Sequence, residues 1–256
     1  MLWNASALKG YKIVAADGRL GEVRDFLFKD TSWMVRWLVV ETGDWLTDRQ
    51  VLLPPLSLGR PDPALREFPV DLTVDRVKNS PAVGLDEPVS RQMEAEIATH
   101  FGWEPYWLAG TGEPMAPPFP APLYVAGSRP PDSVAAEGTA VKGDPHLRSA
   151  HELVGYRVHA TDGEIGVVGD FLIDDADWGI SYLKADTGSW WSPHEVLLTP
   201  RSVKSIDWDS QQMELGVTRR QVRESPLYNS ATTVDRAYET ALHAHYGYGE
   251  PGTVWR

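Results

Sequence analysis

Apolar and polar positions alternate in short runs along most of this chain. Leu8 to Val14 reads as a short strand. Ala16-Asp17-Gly18-Arg19 follows as a hairpin turn, because Asp-Gly supplies the positive φ angles of a tight reversal. The next strand carries Leu20, Val23 and Phe26. Its two-residue period slips between Val23 and Phe26, which predicts a bulge. Asp30-Thr31-Ser32 is a turn, and Trp33 to Glu41 is the most apolar strand, ended by Thr42-Gly43. Gln50 to Leu53 is a shorter strand, and Val70 to Val77 supplies one or two more. The period then changes. Pro88 to His100 has no internal glycine or proline, and Val89, Met93 and Ile97 are spaced by four. That spacing predicts a helix, with Ser90 as its cap.

The whole pattern then recurs. Tyr156 to Phe171 repeats Tyr11 to Phe26 at an offset of 145 residues, and the offset holds without a gap. Trp33 falls on Trp178, Trp45 on Trp190, Val51-Leu52-Leu53 on Val196-Leu197-Leu198, and Ser80-Pro81 on Ser225-Pro226. The alternation slips again between Val168 and Phe171. A second helix reads from Thr232 to His245, with Thr233 as cap. The period is too long for a solenoid, so the chain holds two copies of one small domain. Many short strands with turns between them predict a barrel or sandwich. The expected fold class is mainly β: two tandem small barrels, each followed by a short α-helix. The domains run 1–103 and 151–256, joined by a linker at 104–150. Residues 104–144 hold eight of the chain's twenty prolines, so the linker reads as extended and semi-rigid.

Composition narrows the function. The net charge is -12. Residues 1–110 carry 12 basic and 16 acidic groups, and residues 151–256 carry 9 and 16. Neither half has the basic excess that a phosphate backbone requires, so no direct nucleic-acid partner is expected. No apolar run is long enough for a membrane span. The start lacks the basic and apolar regions of a signal peptide. There is no cysteine, hence no disulfide framework, and the expected location is the cytoplasm.

Candidate chemistry is sparse. His100, His243 and His245 lie at helix C-termini, where the helix dipole alone favours them. His243 and His245 are two apart and do not face one way. Ser192, His194 and Glu195 are close in sequence, yet the matching stretch Thr47-Asp48-Arg49-Gln50 shares nothing catalytic. Asp17 and Asp162 precede glycine in a turn, where their carboxylates bond backbone. Asp25 and Asp170 sit at the inferred bulges and satisfy loose N–H groups there. No phosphate loop, zinc spacing or nucleophile elbow is present. No catalytic, cofactor or metal site is read.

Eleven tryptophans are many for this length. Trp33, Trp45, Trp178 and Trp190 are expected in barrel core or rim. Trp103, Trp107, Trp191, Trp208 and Trp255 have no matching tryptophan, and the first four are candidate interface residues, since Trp is enriched at binding hot spots. Met34 to Val40 is apolar on both strand faces, whereas the copy carries Ser181 and Lys184 at the positions of Arg36 and Val39. Trp37 and Val39 therefore join the candidate interface. The second barrel is expected to cover that face, giving an internal pseudo-twofold pair. A helix, the linker or another chain, as in a homo-oligomer, is the alternative cover.

The repeated block resembles the PRC-barrel family. The resemblance rests on Gly10-Tyr11, Asp17-Gly18, Leu20-Gly21, Val23, Asp25-Phe26, Thr42-Gly43, Val51-Leu52-Leu53 and Val77-Lys78-Asn79-Ser80-Pro81, with their counterparts 145 residues on. It implies a small barrel of about six strands that serves as a binding and assembly platform and has no family-wide catalytic residues. The tail His100-Phe101-Gly102-Trp103-Glu104-Pro105-Tyr106-Trp107 resembles stand-alone bacterial members of the type found in the cytoplasmic part of the photosynthetic reaction centre H subunit. The implied function is a non-enzymatic protein-interaction scaffold whose partner the sequence does not identify. The alternatives are a ribosome-maturation accessory and a metal-dependent hydrolase using rim Asp and His residues.

Overall fold

The structure, a computed structural model, describes residues 1–43, 49–81, 91–103, 146–188, 195–229 and 234–248. The Pro-rich stretch, Trp45, Trp107, Trp190 and Trp191, the proposed cap positions Ser90 and Thr233, and Ser192 and His194 lie outside the described residues.

The first copy runs β1 (Leu2–Asn4), α1 (Ala5–Leu8), β2 (Lys12–Ala15), β3 (Gly18–Lys29), β4 (Met34–Glu41), β5 (Gln50–Leu53), a 3-10 corner (Pro55–Ser57), β6 (Glu67–Pro69), α2 (Val74–Lys78) and α3 (Arg91–Phe101). The second runs β7 (Leu147–Ser149), α4 (Ala150–Leu153), β8 (Arg157–Ala160), β9 (Gly163–Asp174), β10 (Ile180–Asp186), β11 (Glu195–Leu198), a 3-10 corner (Pro200–Ser202), β12 (Val203–Asp207), β13 (Gln212–Leu215), α5 (Arg219–Arg223) and α6 (Arg236–Tyr246). Apart from β12, every element has its counterpart at the 145-residue offset.

Each copy curls one sheet around one core. In the first, the order is β5-β4-β3-β2-β6, antiparallel except for the β2–β6 pair. In the second it is β11-β10-β9-β8-β13-β12. Beyond β5 and β11 the chain turns at a 3-10 corner. There Ser57 Oγ donates to the Pro54 carbonyl (2.8 Å) and Ser202 Oγ to the Thr199 carbonyl (2.7 Å). Beyond the corner, Leu58 bridges to Val70, and β12 pairs with β13. Ile13, Leu20, Phe26, Leu38, Leu53 and Phe68 are buried in the first copy, and Val158, Ile165, Phe171, Leu183, Leu198 and Met213 in the second. Each such side chain contributes roughly 1.5–3 kcal/mol by leaving water.

The bulges are where the alternation slipped. Register shifts between Val23 and Asp25 in β3, and between Val168 and Asp170 in β9. Other expectations are corrected. Leu8–Val14 is not one strand: a helical turn ends at Leu8 and the strand starts at Lys12. Val70–Val77 and its copy are not strands beyond β6 and β13. Thr73 and Thr218 accept from the backbone N–H groups of Arg76 and Gln221 and start helices α2 and α5. Gln221 returns a bond to the Thr218 backbone, closing a capping box. Helix α6 starts at Arg236, capped by Asp235 rather than Thr233. Ala15 pairs with Gly18, so the hairpin loop is Ala16-Asp17. Among the described residues only Trp33, Arg66, Trp178 and Gln211 have positive φ without being glycine, so the loop does not use the reversal expected of Asp17.

The edge strands decide how the copies meet. β1 does not pair within its own copy. It runs antiparallel to β9, with Leu2 opposite Asp174 and Asn4 opposite Leu172. Reciprocally, β7, which the sequence placed in the linker, runs along β3, with Leu147 opposite Lys29 and Ser149 opposite Leu27. The two registers are the same under the repeat offset, so the exchange is pseudo-twofold.

Candidate functional site

The seam created by this exchange engages one pair of the acidic residues that recur in both copies, Asp25 and Asp170. At the β9 bulge, Asp170 is buried, at 3% exposure. Its Oδ1 accepts from the Phe171 N–H (2.8 Å) and from the Ser6 N–H of the crossing segment (3.1 Å). Its Oδ2 accepts from Ser6 Oγ (2.5 Å). At the β3 bulge, half-buried Asp25 repeats the arrangement. It accepts from the N–H groups of Phe26 (2.7 Å) and His151 (3.1 Å) and from Ser149 Oγ (2.5 Å). The bulges free backbone N–H groups as the sequence implied, but each carboxylate also clamps the start of the other copy.

The next turn contributes a second contact. Trp3 Nε1 donates to Asp175 Oδ2 (3.1 Å), and in the mirrored place Arg148 Nε lies 3.8 Å from Asp30 Oδ2. Trp33 and Trp178 flank the pseudo-twofold axis with φ of 57° and 61°. Val35 N–H donates to the Trp178 carbonyl (2.9 Å) and Ile180 N–H to the Trp33 carbonyl (2.8 Å). Met34 and Gly179 face each other between those bonds. Trp178 is buried in the core and Trp33 packs half-buried against it, in line with the expected core or rim positions, and both also join the barrels. Trp33 stacks on Phe28 (5.3 Å between centroids), and Trp178 packs on Phe68 of the other copy (6.0 Å).

The other candidate interface residues divide. Trp208 is half-buried within the second copy, with the Arg148 guanidinium 4.1 Å from its ring centroid and Tyr156 edge-on at 5.8 Å. Trp37 is turned to its own helix: its indole donates to Glu94 Oε1 (2.8 Å), which is fully buried. Val39, two residues along on the same face, is 8% exposed. The inter-copy hydrogen bonds described above run through the edge segments and the tryptophan turns, not through this face. The reason is the Trp37–Glu94 strut, which seats α3 here and recurs as Tyr182–Glu239 (3.1 Å) under α6. Trp103 stacks on Phe101 (4.3 Å) just past the glycine that ends α3. Tyr182→Phe should cost about 1 kcal/mol, the net worth of one hydrogen bond. It should lower the melting temperature by a few degrees, and amide exchange should localise the loosening to α6.

The other recurring carboxylates and histidines serve structural ends as well. Asp17 and Asp162 accept from the first backbone N–H of α2 (Val74, 2.9 Å) and of α5 (Arg219, 2.7 Å). His100 Nε2 donates to the Arg76 carbonyl (2.8 Å) and His245 Nε2 to the Gln221 carbonyl (2.7 Å). Glu195 accepts from Lys184 Nζ (3.0 Å). Burial, reinforced by Glu239, pushes the Tyr182 phenol far up, and burial pushes Tyr246 up to about 12. Neither phenol ionises near neutral pH. Among the described residues no group of three or more His, Asp or Glu is placed to hold a metal. A shallow depression over Ala95, Glu96, Thr99 and His100 lies along one helix face. Also among the described residues, no helix is long and apolar enough to cross a membrane.

Sequence reasoning missed Ser6, Ser149 and the crossing strands. The signal was present: Leu2, Ala5 and Leu8 match Leu147, Ala150 and Leu153 at the repeat offset, so the repeat begins six residues earlier than Leu8. The PRC-barrel domain model matches residues 4–60 and 145–214, and its second match takes in β7. No curated protein matches the sequence.

Proposed function

We propose that this chain, a tandem member of the PRC-barrel family, is a non-catalytic assembly platform that presents two barrels to protein partners as one locked pair. One observation supports the reading: the carboxylates and histidines that recur in both copies bond backbone groups that hold the fold, rather than converging on a cleft. An enzyme built on a repeated carboxylate would leave it facing solvent or substrate. The acidic balance of each half fits a protein partner better than RNA. The platform role is of the kind filled by reaction-centre H-subunit cytoplasmic domains, with the cytoplasm as its place of work.

The test is a tagged full-length chain recovered from its native host. The expected result is a stoichiometric protein complex that survives gel filtration, with no turnover of ester, phosphoester or peptide substrates when divalent metals are added. Metal-dependent turnover, or co-sedimentation with ribosomes that survives moderate salt, would overturn it.

A further inference from the structure

The carboxylate clamps and the strand pairings across the seam each have a homotypic counterpart already in use elsewhere in the molecule. Asp170 is satisfied by the N–H and hydroxyl of Ser6. If two first copies met, Ser6 of one would offer the same two donors to Asp25 of the other. Asp25 is satisfied by the His151 N–H and the Ser149 hydroxyl. If two second copies met, those donors would reach Asp170. The strand registers agree: Leu2–Asn4 lies on Leu172–Asp174 as Leu147–Ser149 lies on Leu27–Lys29. Trp3 on Asp175 and Arg148 on Asp30 are likewise interchangeable in position. None of these contacts selects the unlike pairing over the like one. What favours the unlike pairing is the tether, the 42 residues from 104 to 145, together with the Met1 ammonium on Asp174, whose first-copy counterpart is Lys29, and Trp178 on Phe68, whose second-copy counterpart is Met213. A short flexible tether gives an effective concentration on the order of mM, and a longer one gives less.

We propose that the seam also closes between molecules, so that each half of this chain takes the same half of a second copy as partner. The inference deepens the assembly reading and rests on it. Its test reads the chain's own pairing, whereas recovery from the host reads a foreign partner, so either can fail alone.

The test exploits two features: the chain has no cysteine, and residue 34 lies at the pseudo-twofold axis. Met34 faces Gly179, flanked by the Val35–Trp178 and Ile180–Trp33 hydrogen bonds. That is a non-hydrogen-bonded antiparallel pair, with Cα atoms about 4.5 Å apart, inside the disulfide range. In the single chain, a thiol introduced by Met34→Cys faces glycine and has no partner thiol. Between two first halves it faces its own copy.

Full-length Met34→Cys protein is unfolded in urea, refolded at rising concentration and oxidised. The expected product is a disulfide-linked chain dimer that increases with concentration. It should exceed by at least several-fold the dimer from Leu65→Cys, an exposed position in the same copy. The double variant Met34→Cys, Gly179→Cys should give an intrachain disulfide at low concentration. An intrachain bond in the double variant without a dimer from the single variant would overturn the proposal. Absence of both would overturn the seam itself, and the proposal with it.

Discussion

Gly21→Ala is expected to cost the first barrel about 4 kcal/mol, and Gly166→Ala the second barrel at least as much. β3 and β4 cross most closely beside the bulge. A Cβ on Gly21 would sit 2.1 Å from the Glu41 carbonyl oxygen and 3.0 Å from Thr42 Cα; on Gly166 it would sit 1.9 Å from the Asp186 oxygen. The obstacle is backbone in both cases, so no rotamer change relieves it. The strands must part, losing ladder bonds. Overpacking costs roughly 1–3 kcal/mol or more, and the φ values of 155° and 146° add roughly 1–3 for any side chain. At about 2–4 °C per kcal/mol for a chain of this size, scanning calorimetry should show a fall of about 10 °C. Gly10→Ala is the control. Its φ is 74°, but a Cβ there meets nothing within 4 Å, so only the left-handed backbone cost of about 1–2 kcal/mol applies. Equal melting temperatures for Gly10→Ala and Gly21→Ala would refute the close crossing.

That contrast shows what the sequence could and could not tell. The bulge was legible because two-residue alternation fails at one place in both copies. The core was legible because Leu20, Phe26, Leu38 and Leu53 fall on inward positions of a repeated pattern. The strain at Gly21 was not, because a close backbone approach leaves no mark beyond the glycine itself, and Gly18 nearby is a more familiar turn signal. Helices α2 and α5 were hidden by Val74, Val77 and Val222, β-branched residues that read as strand, and their five residues are too few for helical periodicity. The exchange was the least legible feature. Leu2, Leu8 and Ser6 are apolar and polar in the same order whether the segment pairs with its own barrel or the other. Only the three-dimensional path separates the two cases. The Trp37–Glu94 strut was missed for a related reason: a lone Glu on a helix looks solvated until its partner 57 residues away is placed.

Asp170→Ala should release the chain's first segment from the second barrel. The substitution leaves the Ser6 N–H, the Ser6 hydroxyl and the Phe171 N–H without their shared acceptor. Hydrogen bonds to a charged group are worth about 1.5–3 kcal/mol each, and not additively, so a loss of about 3 kcal/mol is expected. Asp25→Ala removes the same three bonds, but Asp25 is only half-buried and water reaches the orphaned groups. The expected loss there is about 1.5 kcal/mol. The two effects should also separate in space. Amide exchange in Asp170→Ala should accelerate across Leu2–Leu8 while Leu147–Leu153 stays protected, and Asp25→Ala should give the reverse. Asp170→Asn keeps an acceptor for the two N–H groups but turns an amide donor toward Ser6, so it should fall between the alanine variant and the parent. In a double-mutant cycle with Ser6→Ala, the coupling should be at least about 1 kcal/mol, because the hydroxyl and the carboxylate act as one contact. Unchanged protection of Leu2–Leu8 in Asp170→Ala would mean that strand pairing alone holds the exchange, and that the carboxylates serve only their own bulges.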